Sequence, residues 1–231
     1  MWPTPHTTKP ARLGMIVPSS NTVVETVTPY LLPQDRSIIV HVSRLRVTHV
    51  AADDATELQF QLSATLAAAS LLADAGVDLI LWNGTAASWL GFERDKALTE
   101  AIRRETGIPA LTAVTAINDR LGELGVRRLG LVTPYVAELE KEIIENYRLL
   151  GIEIVASRRL DLTVNTEFAA VPTSTISAMV EEVSRASPDA IVIMCTNLAG
   201  AFVAHELTAH FGIPVLDSVA VAISATIAHL A

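Results

Sequence analysis

The chain has 231 residues, half of them hydrophobic and 18% charged, with a formal net charge of −8. Its length allows one large domain or two small ones sharing an interface, while the acidic balance excludes counterion-driven nucleic-acid binding, which needs a basic excess. A single cysteine, Cys195, excludes an intrachain disulfide and any Cys-based zinc site, and points to a reducing, cytoplasmic setting.

In chain order, the leader "MWPTPHTTKPAR" is rich in proline and has no apolar segment of signal-peptide type, so residues 1–11 are expected as a frayed tail. Strands are expected at 12–17, 37–43 and 78–83, with a short one near 109–111, and helices at 54–75, 92–105 and 113–124. The most apolar run, "LAAASLLADAGVDLILW", is interrupted by Asp74, Gly76 and Asp78. A helix followed by a buried strand explains that better than a bilayer span does, and no membrane partner is expected. Further on, strands fit 128–133, 152–157, 190–195 and 214–216, and helices fit 136–150, 172–186, 198–211 and 218–229. Gly107 and Gly212 each close a helical pattern, where a left-handed residue is wanted.

The chain repeats itself. "RLGMIVP" at 12 recurs as "RLGLVTP" at 128, "DLILWNGT" at 78 as "DAIVIMCT" at 189, and "TGIPALTAV" at 106 as "FGIPVLDSV" at 211. Three matches in one order imply two copies of a single unit. Alternating strands and helices at this spacing imply right-handed crossovers and mostly parallel sheets. The expected fold is therefore α/β: two pseudo-symmetric Rossmann-like (flavodoxin-like) lobes with a cleft between them. Residues 12–114 plus 217–231 are expected to form the first lobe and 115–216 the second.

In open α/β sheets, ligands bind beyond the carboxyl ends of the strands. The segments there are "PSSNT", "NGTAAS", "TPY" and "CTNLAG", all small, polar or hydroxyl-bearing. The repeat sets Gly84 opposite Cys195 across the cleft. A cysteine at a strand end entering a helix has its thiolate stabilised by backbone N–H groups, and can move a proton at carbon or attack as a nucleophile. The plainer alternative is a small buried apolar residue. Asn21 is equally an N-cap or, with Ser19 and Ser20, part of an anion site at a helix start. Asn165, in "TVNTE", reads as a turn residue, and Tyr135 as a half-buried tyrosine or a ligand contact. Asn83 and Asn197 flank the two central positions and are expected to hold loops. His205 and His210 are five apart and miss metal-pair spacing, so no metal is expected. No glycine-rich phosphate motif is present, so no nucleotide is expected either.

Together, "GMIVPSSNTVVE", "WNGTAASW", "LVTPY", "VNTE" and "MCTNLAG" resemble the aspartate/glutamate racemase superfamily, in its maleate cis-trans isomerase and arylmalonate decarboxylase branch. The likeness runs from about residue 11 to the end. It implies two α/β halves with the active site between them, no cofactor, and one or two cysteines near the pseudo-twofold axis. By the same resemblance Cys195 matches the cysteine of the second half, and Gly84 falls where racemases and maleate isomerases place their first cysteine. Thr85 and Tyr135 match positions that hold a carboxylate or oxyanion in the decarboxylase, whereas Asn21 and Asn165 match asparagines that maleate isomerases use on carboxylates.

Racemisation needs a proton-transfer group on each face, whereas protonating an enediolate after loss of carbon dioxide needs one. The expected function is thus action on a small carboxylate or dicarboxylate, first as a malonate-type decarboxylase with Cys195 as proton donor. Maleate isomerisation or racemisation is the alternative, and from another class an inactive carboxylate-binding protein. Thr85, Tyr135 and backbone N–H groups near Gly84 and Thr196 are the expected oxyanion donors, with Trp82, Trp89 and Leu198 as apolar walls. Gly84→Cys is expected to add racemase activity. Alanine-rich 64–73 permits a homo-oligomer.

Overall fold

The structure, a computed structural model, describes residues 9–231. The expected tail lies outside the described residues over 1–8, and Ala11, assigned to that tail above, already pairs with Ile38 in the first strand. In the first sheet β1 (Ala11–Pro18) lies between β2 (Ile38–Leu45) and β3 (Leu79–Trp82), with β4 (Ala110–Thr112) beyond β3, all parallel. The second sheet repeats this: β5 (Arg128–Thr133) lies between β6 (Glu153–Arg159) and β7 (Ala190–Ile193), with β8 (Val215–Asp217) at the edge. Each sheet has the order 2-1-3-4, so strand order reverses beside β1 and beside β5, where α/β folds open a crevice.

The repeated motifs do the same physical work twice. Asp78 Oδ2 accepts the Arg12 N–H at 2.7 Å, and Asp189 Oδ2 accepts those of Arg127 and Arg128 at 2.9 and 2.8 Å. The glycine of each "RLG" lets a helix close on its sheet. A Cβ at Gly14 would meet Val77 and Leu72 at 3.0–3.1 Å, and one at Gly130 would meet Val183 at 2.4 Å. Leu72 belongs to α3 (Leu62–Asp74), and Val183 to its counterpart α9 (Thr173–Ser184).

Several elements depart from expectation, each for a local reason. The helix expected over 54–75 breaks into α2 (Asp54–Gln59) and α3 at Phe60 and Gln61. Gln59 Oε1 accepts the Thr48 N–H at 2.8 Å and its Nε2 donates to the His49 carbonyl at 2.9 Å. Those bonds tie the end of α2 to the loop after β2. The Phe60 ring packs edge-on to Trp82 and Trp89. Among the helices outside the expected set are α1 (Val23–Leu31) and α4 (Ala87–Leu90). The first has poor helix formers and Pro29, and it persists because Val23, Val24 and Val27 are buried. The "NTE" turn proves to be the start of α8 (Asn165–Ala169). After β7, the helix expected from 198 begins only at α10 (Ala204–Phe211), preceded by a 3-10 turn at Gly200–Phe202. Gly200 is pressed against β7 and β8: a Cβ there would meet Asp217 Oδ2 at 2.7 Å and Ile193 at 2.8 Å.

The remaining helices are α5 (Phe92–Thr106), α6 (Ala113–Glu123), α7 (Ala137–Leu149) and α11 (Ser218–Leu230). Asp217 caps α11, accepting the N–H groups of Val219 and Ala220 at 2.9 Å. From there α11 returns to the first sheet, where Val219, Ala222 and Ile223 share a core with Leu13, Met15 and Leu79. The other core is continuous across both sheets, joining Ile16, Ile80 and Trp82 to Leu129, Ile191 and Val192. No helix among the described residues is long and apolar enough to cross a membrane.

Candidate active site

The loops after β1, β3, β5 and β7 converge on one cavity of about 30 Å³, whose walls include Asn21, Gly84, Thr85, Tyr135, Asn165, Cys195 and Thr196. That is room for about two waters. The roof is made by pairing between lobes. The segment after β2 meets the segment before α8 through an antiparallel bridge, His49 to Val164. Val50 N–H donates to Thr163 O at 2.8 Å and Asn165 N–H to Thr48 O at 3.1 Å.

One hydrogen-bonded network holds these loops together. Asn21 Oδ1 accepts the Val23 and Val24 N–H groups at 3.0 Å, starting α1, while Nδ2 donates to Thr196 Oγ1 at 3.2 Å. The Thr196 hydroxyl in turn donates to the Asn83 carbonyl at 3.1 Å, so its own proton is already engaged. Asn197 joins three segments. Its Oδ1 accepts the Thr22 N–H at 3.1 Å, and its Nδ2 donates to the Asn165 carbonyl at 2.6 Å. Asn165 Nδ2 donates to Ser20 Oγ at 2.7 Å. Asn21, Asn83, Asn165, Thr196 and Asn197 are all buried, while Ser20 is half-buried and Thr22 exposed, so the network is mainly an interior frame rather than a set of surface contacts.

Cys195 is 3% exposed and lies two residues beyond the end of β7. Its sulfur accepts the Asn197 N–H at 3.3 Å. Burial pushes the thiol up to about 11, against the Asn197 N–H, the Tyr135 hydroxyl and the Leu198 N–H, which favour the thiolate; Asp217 adds to the rise. The thiolate stabilisation expected from a helix start does not prevail, because no α-helix begins here and desolvation is the larger effect. At neutral pH Cys195 therefore carries its proton. The Tyr135 hydroxyl, bonded to Thr85 Oγ1 at 2.6 Å, is likewise held protonated by burial and by the neighbouring sulfur. Thr85, Tyr135 and Cys195 form a chain of three protonated groups along one wall.

Gly84 holds a surprise for the sequence reading. A Cβ at this position would lie 2.2 Å from Trp82 Cζ2 and 2.5 Å from Cε2. The Cβ direction of Gly84 is thus not vacant: the indole of Trp82, 3% exposed, fills the space a side chain would need. Trp82 stands behind Gly84 rather than in the cavity wall, and Leu198 is also outside that wall, whereas Trp89 belongs to it. Val47, Val50, Phe60 and Phe168 complete the apolar lining. No motif marks these four, because their place depends on the break at Phe60 and on the roof pairing. Behind Phe60 and Ala86, which both cavities share, lies a second, mainly apolar pocket of about 360 Å³ reaching Trp82 and Leu98. Among the described residues no group of three or more His, Cys, Asp or Glu is placed to hold a metal ion.

The family model for arylmalonate decarboxylase matches residues 13–231. A maleate isomerase from Geobacillus stearothermophilus is 26% identical over 220 residues, covering 90% of this chain and 86% of the relative. An arylmalonate decarboxylase from Bordetella bronchiseptica is 30% identical over 146 residues, 62% of this chain and 61% of its own. Among solved structures, a maleate isomerase from Pseudomonas putida S16 superposes with a TM-score of 0.87 at 27% identity, covering 96% of this chain and 93% of the other. With its family model matched over nearly the whole length, the chain belongs to the arylmalonate decarboxylase family and is an enzyme of the isomerase or decarboxylase kind found there.

Proposed function

We propose that the protein decarboxylates a small malonate-type dicarboxylate and that Cys195 supplies the proton that ends the reaction. The observation that carries this reading is the single buried thiol, held protonated, with Gly84 at the matching position of the first half, where the Trp82 indole leaves no room for a side chain. Heterolysis of the bond between the α-carbon and one carboxylate releases carbon dioxide and leaves the electron pair on an enediolate. The Cys195 proton then moves to the α-carbon, and the sulfur becomes a thiolate. The Asn197 and Leu198 N–H groups and the Tyr135 hydroxyl hold that thiolate until solvent returns a proton. Thr85 and Tyr135 face the developing oxyanion, and the apolar wall favours loss of charge from the departing carboxylate. Delivery from one face makes the product a single enantiomer.

A second reading, maleate cis-trans isomerisation, is favoured by two observations. The maleate isomerase of Geobacillus stearothermophilus is matched over 90% of this chain, against 62% for the decarboxylase. The cavity also holds the Asn21 and Asn165 pair. The reaction would require the Cys195 sulfur to add to the double bond, allow rotation, and leave. Addition needs the thiolate, which a thiol pushed up to about 11 disfavours at neutral pH.

The experiment is a carboxylate panel in deuterated water, read for carbon dioxide release, deuterium at the α-carbon and conversion of maleate to fumarate, with Cys195→Ala alongside. Carbon dioxide release with one deuterium incorporated, both lost in the variant, supports the first reading. Fumarate without carbon dioxide replaces it with the second. Ligand binding without any turnover would leave a carboxylate-binding protein.

A further inference from the structure

One residue that lines the cavity carries a buried polar atom with no partner. Trp89 is 8% exposed, and its indole Nε1–H is buried without a hydrogen-bond acceptor. A buried donor in that state is costly and rare, and it calls for an explanation. The ring is nevertheless firmly placed. It packs edge-to-face against Tyr135, with centroids 4.8 Å apart, and against Phe60 at 6.2 Å. From the other lobe, Asn146 Nδ2 donates to the carbonyls of Ser88 and Trp89 at 3.0 and 3.2 Å, fixing the short helix that carries the indole. No neighbouring group has been supplied to satisfy the donor, although everything around it is ordered.

The chemistry of the same wall indicates what would satisfy it. The Thr85 and Tyr135 hydroxyls and the Cys195 thiol are all protonated, and the Asn165 amide also reaches this cavity. A lining of donors facing about 30 Å³ of space fits a guest that only accepts, and a carboxylate is such a group. We propose that Trp89 is a substrate-binding residue whose Nε1–H donates to an oxygen of the substrate carboxylate retained through the reaction, at the end of the cavity marked by Thr85 and Tyr135. This inference rests on the carboxylate reading above and names a donor that the sequence presents only as an apolar wall.

The test is N–H spectroscopy of the uniformly 15N-labelled full chain, which has three tryptophans, titrated with malonate and, separately, with maleate. Trp89→Phe keeps a ring and removes the N–H, and it also assigns the signal. Malonate should move the Trp89 indole proton downfield, and Trp89→Phe should bind malonate about tenfold more weakly. Its KM should rise more than its kcat falls. A Trp89 signal unmoved at saturation while other cavity signals move overturns the assignment and leaves the carboxylate reading standing. Binding of Trp89→Phe within twofold of the parent does the same. If neither acid moves any cavity signal, both fail. Malonate held through Trp89 without turnover supports the donor and removes the proposed decarboxylation. Should Trp89→Phe fail to fold, Trp2→Phe and Trp82→Phe assign the other two indole signals, and the titration of the unaltered chain still decides.

Discussion

Gly84→Cys would place a second thiol opposite the first, and on the repeat alone it should create a racemase. The structure changes that expectation. The new Cβ would fall 2.2, 2.5 and 3.0 Å from three atoms of the Trp82 indole. Those atoms belong to a large, rigid, buried ring rather than to the end of a flexible chain, so the ring or the backbone must shift. Inserting atoms into a packed core costs about 1–3 kcal/mol. For a chain of this size that lowers the melting temperature by roughly 2–12 °C. The single variant should therefore melt early and leave an optically pure α-substituted carboxylate unracemised. Trp82→Leu combined with Gly84→Cys should regain part of the stability, with a coupling of at least about 1 kcal/mol in the double-mutant cycle. It is also the variant in which racemisation should appear. Calorimetry gives the first quantity and polarimetry over long incubation the second. A single variant as stable as the parent and fully racemising would show that Trp82 does not control the slot.

Three further outcomes follow from the same geometry. Because Cys195 is pushed up to about 11 and acts as the acid, its ionisation should leave kcat level across neutral pH and lower it as pH approaches that value; a decline beginning near pH 8 would contradict the protonated thiol. Burial raises Asp95 from 3.8 to about 6, so the folded state holds this proton more tightly; its contribution to stability is full below about pH 4 and lost as pH rises through about 6, on the order of 3 kcal/mol. Asp95→Asn should flatten the melting temperature over that window and raise it at neutral pH, and an unaltered slope would refute the assignment. Phe60→Ala removes the partition between the cavities of about 30 and 360 Å³, so the ratio of KM for unsubstituted to bulky α-substituted acids should rise, and an unchanged ratio would count against Phe60 as the partition.

The sheet was legible because buried parallel strands write themselves as apolar runs, and the repeated motifs fixed their order twice over. Boundaries slipped where side-chain bonds outweighed propensity. Gln59 ends α2 by tying it to Thr48 and His49, and three buried valines keep α1 helical despite Pro29. At the site, the strand ends bring Asn21, Gly84, Thr85, Tyr135, Asn165, Cys195 and Thr196 to one cavity, whereas Trp82 and Leu198, expected as its walls, lie outside it. What could not be read was the balance of effects at each of them. The backbone N–H groups near Cys195 are present, but desolvation outweighs them. Thr196 is present, but its hydroxyl is spent on Asn83. Distances and burial decide such matters, and one-dimensional spacing contains neither.

The asymmetry between the halves has a steric origin that the repeat does encode. Aligning "DLILWNGT" with "DAIVIMCT" sets Trp82 against Ile193 and Gly84 against Cys195. Both pairs lie two residues apart at the end of a central strand, where alternate side chains point to the same face. In the first half the volume is placed at 82, and residue 84 must be glycine because the indole occupies its Cβ direction. In the second half a smaller Ile193 leaves room for a side chain at 195. The two halves therefore differ not by a single substitution on a symmetric frame but by where bulk is placed between two same-face positions. Introducing two-sided chemistry must alter both positions. Trp82→Leu alone, which leaves Gly84 in place, should open a cavity and destabilise by about 2–4 kcal/mol without adding a second proton-transfer group. Loss of stability with no racemisation in that single variant, followed by racemisation only when cysteine joins it at 84, is the pattern that compensation demands. Racemisation in the Trp82→Leu chain by itself would mean that the second face is already served by another group, and the one-acid mechanism would fall with it.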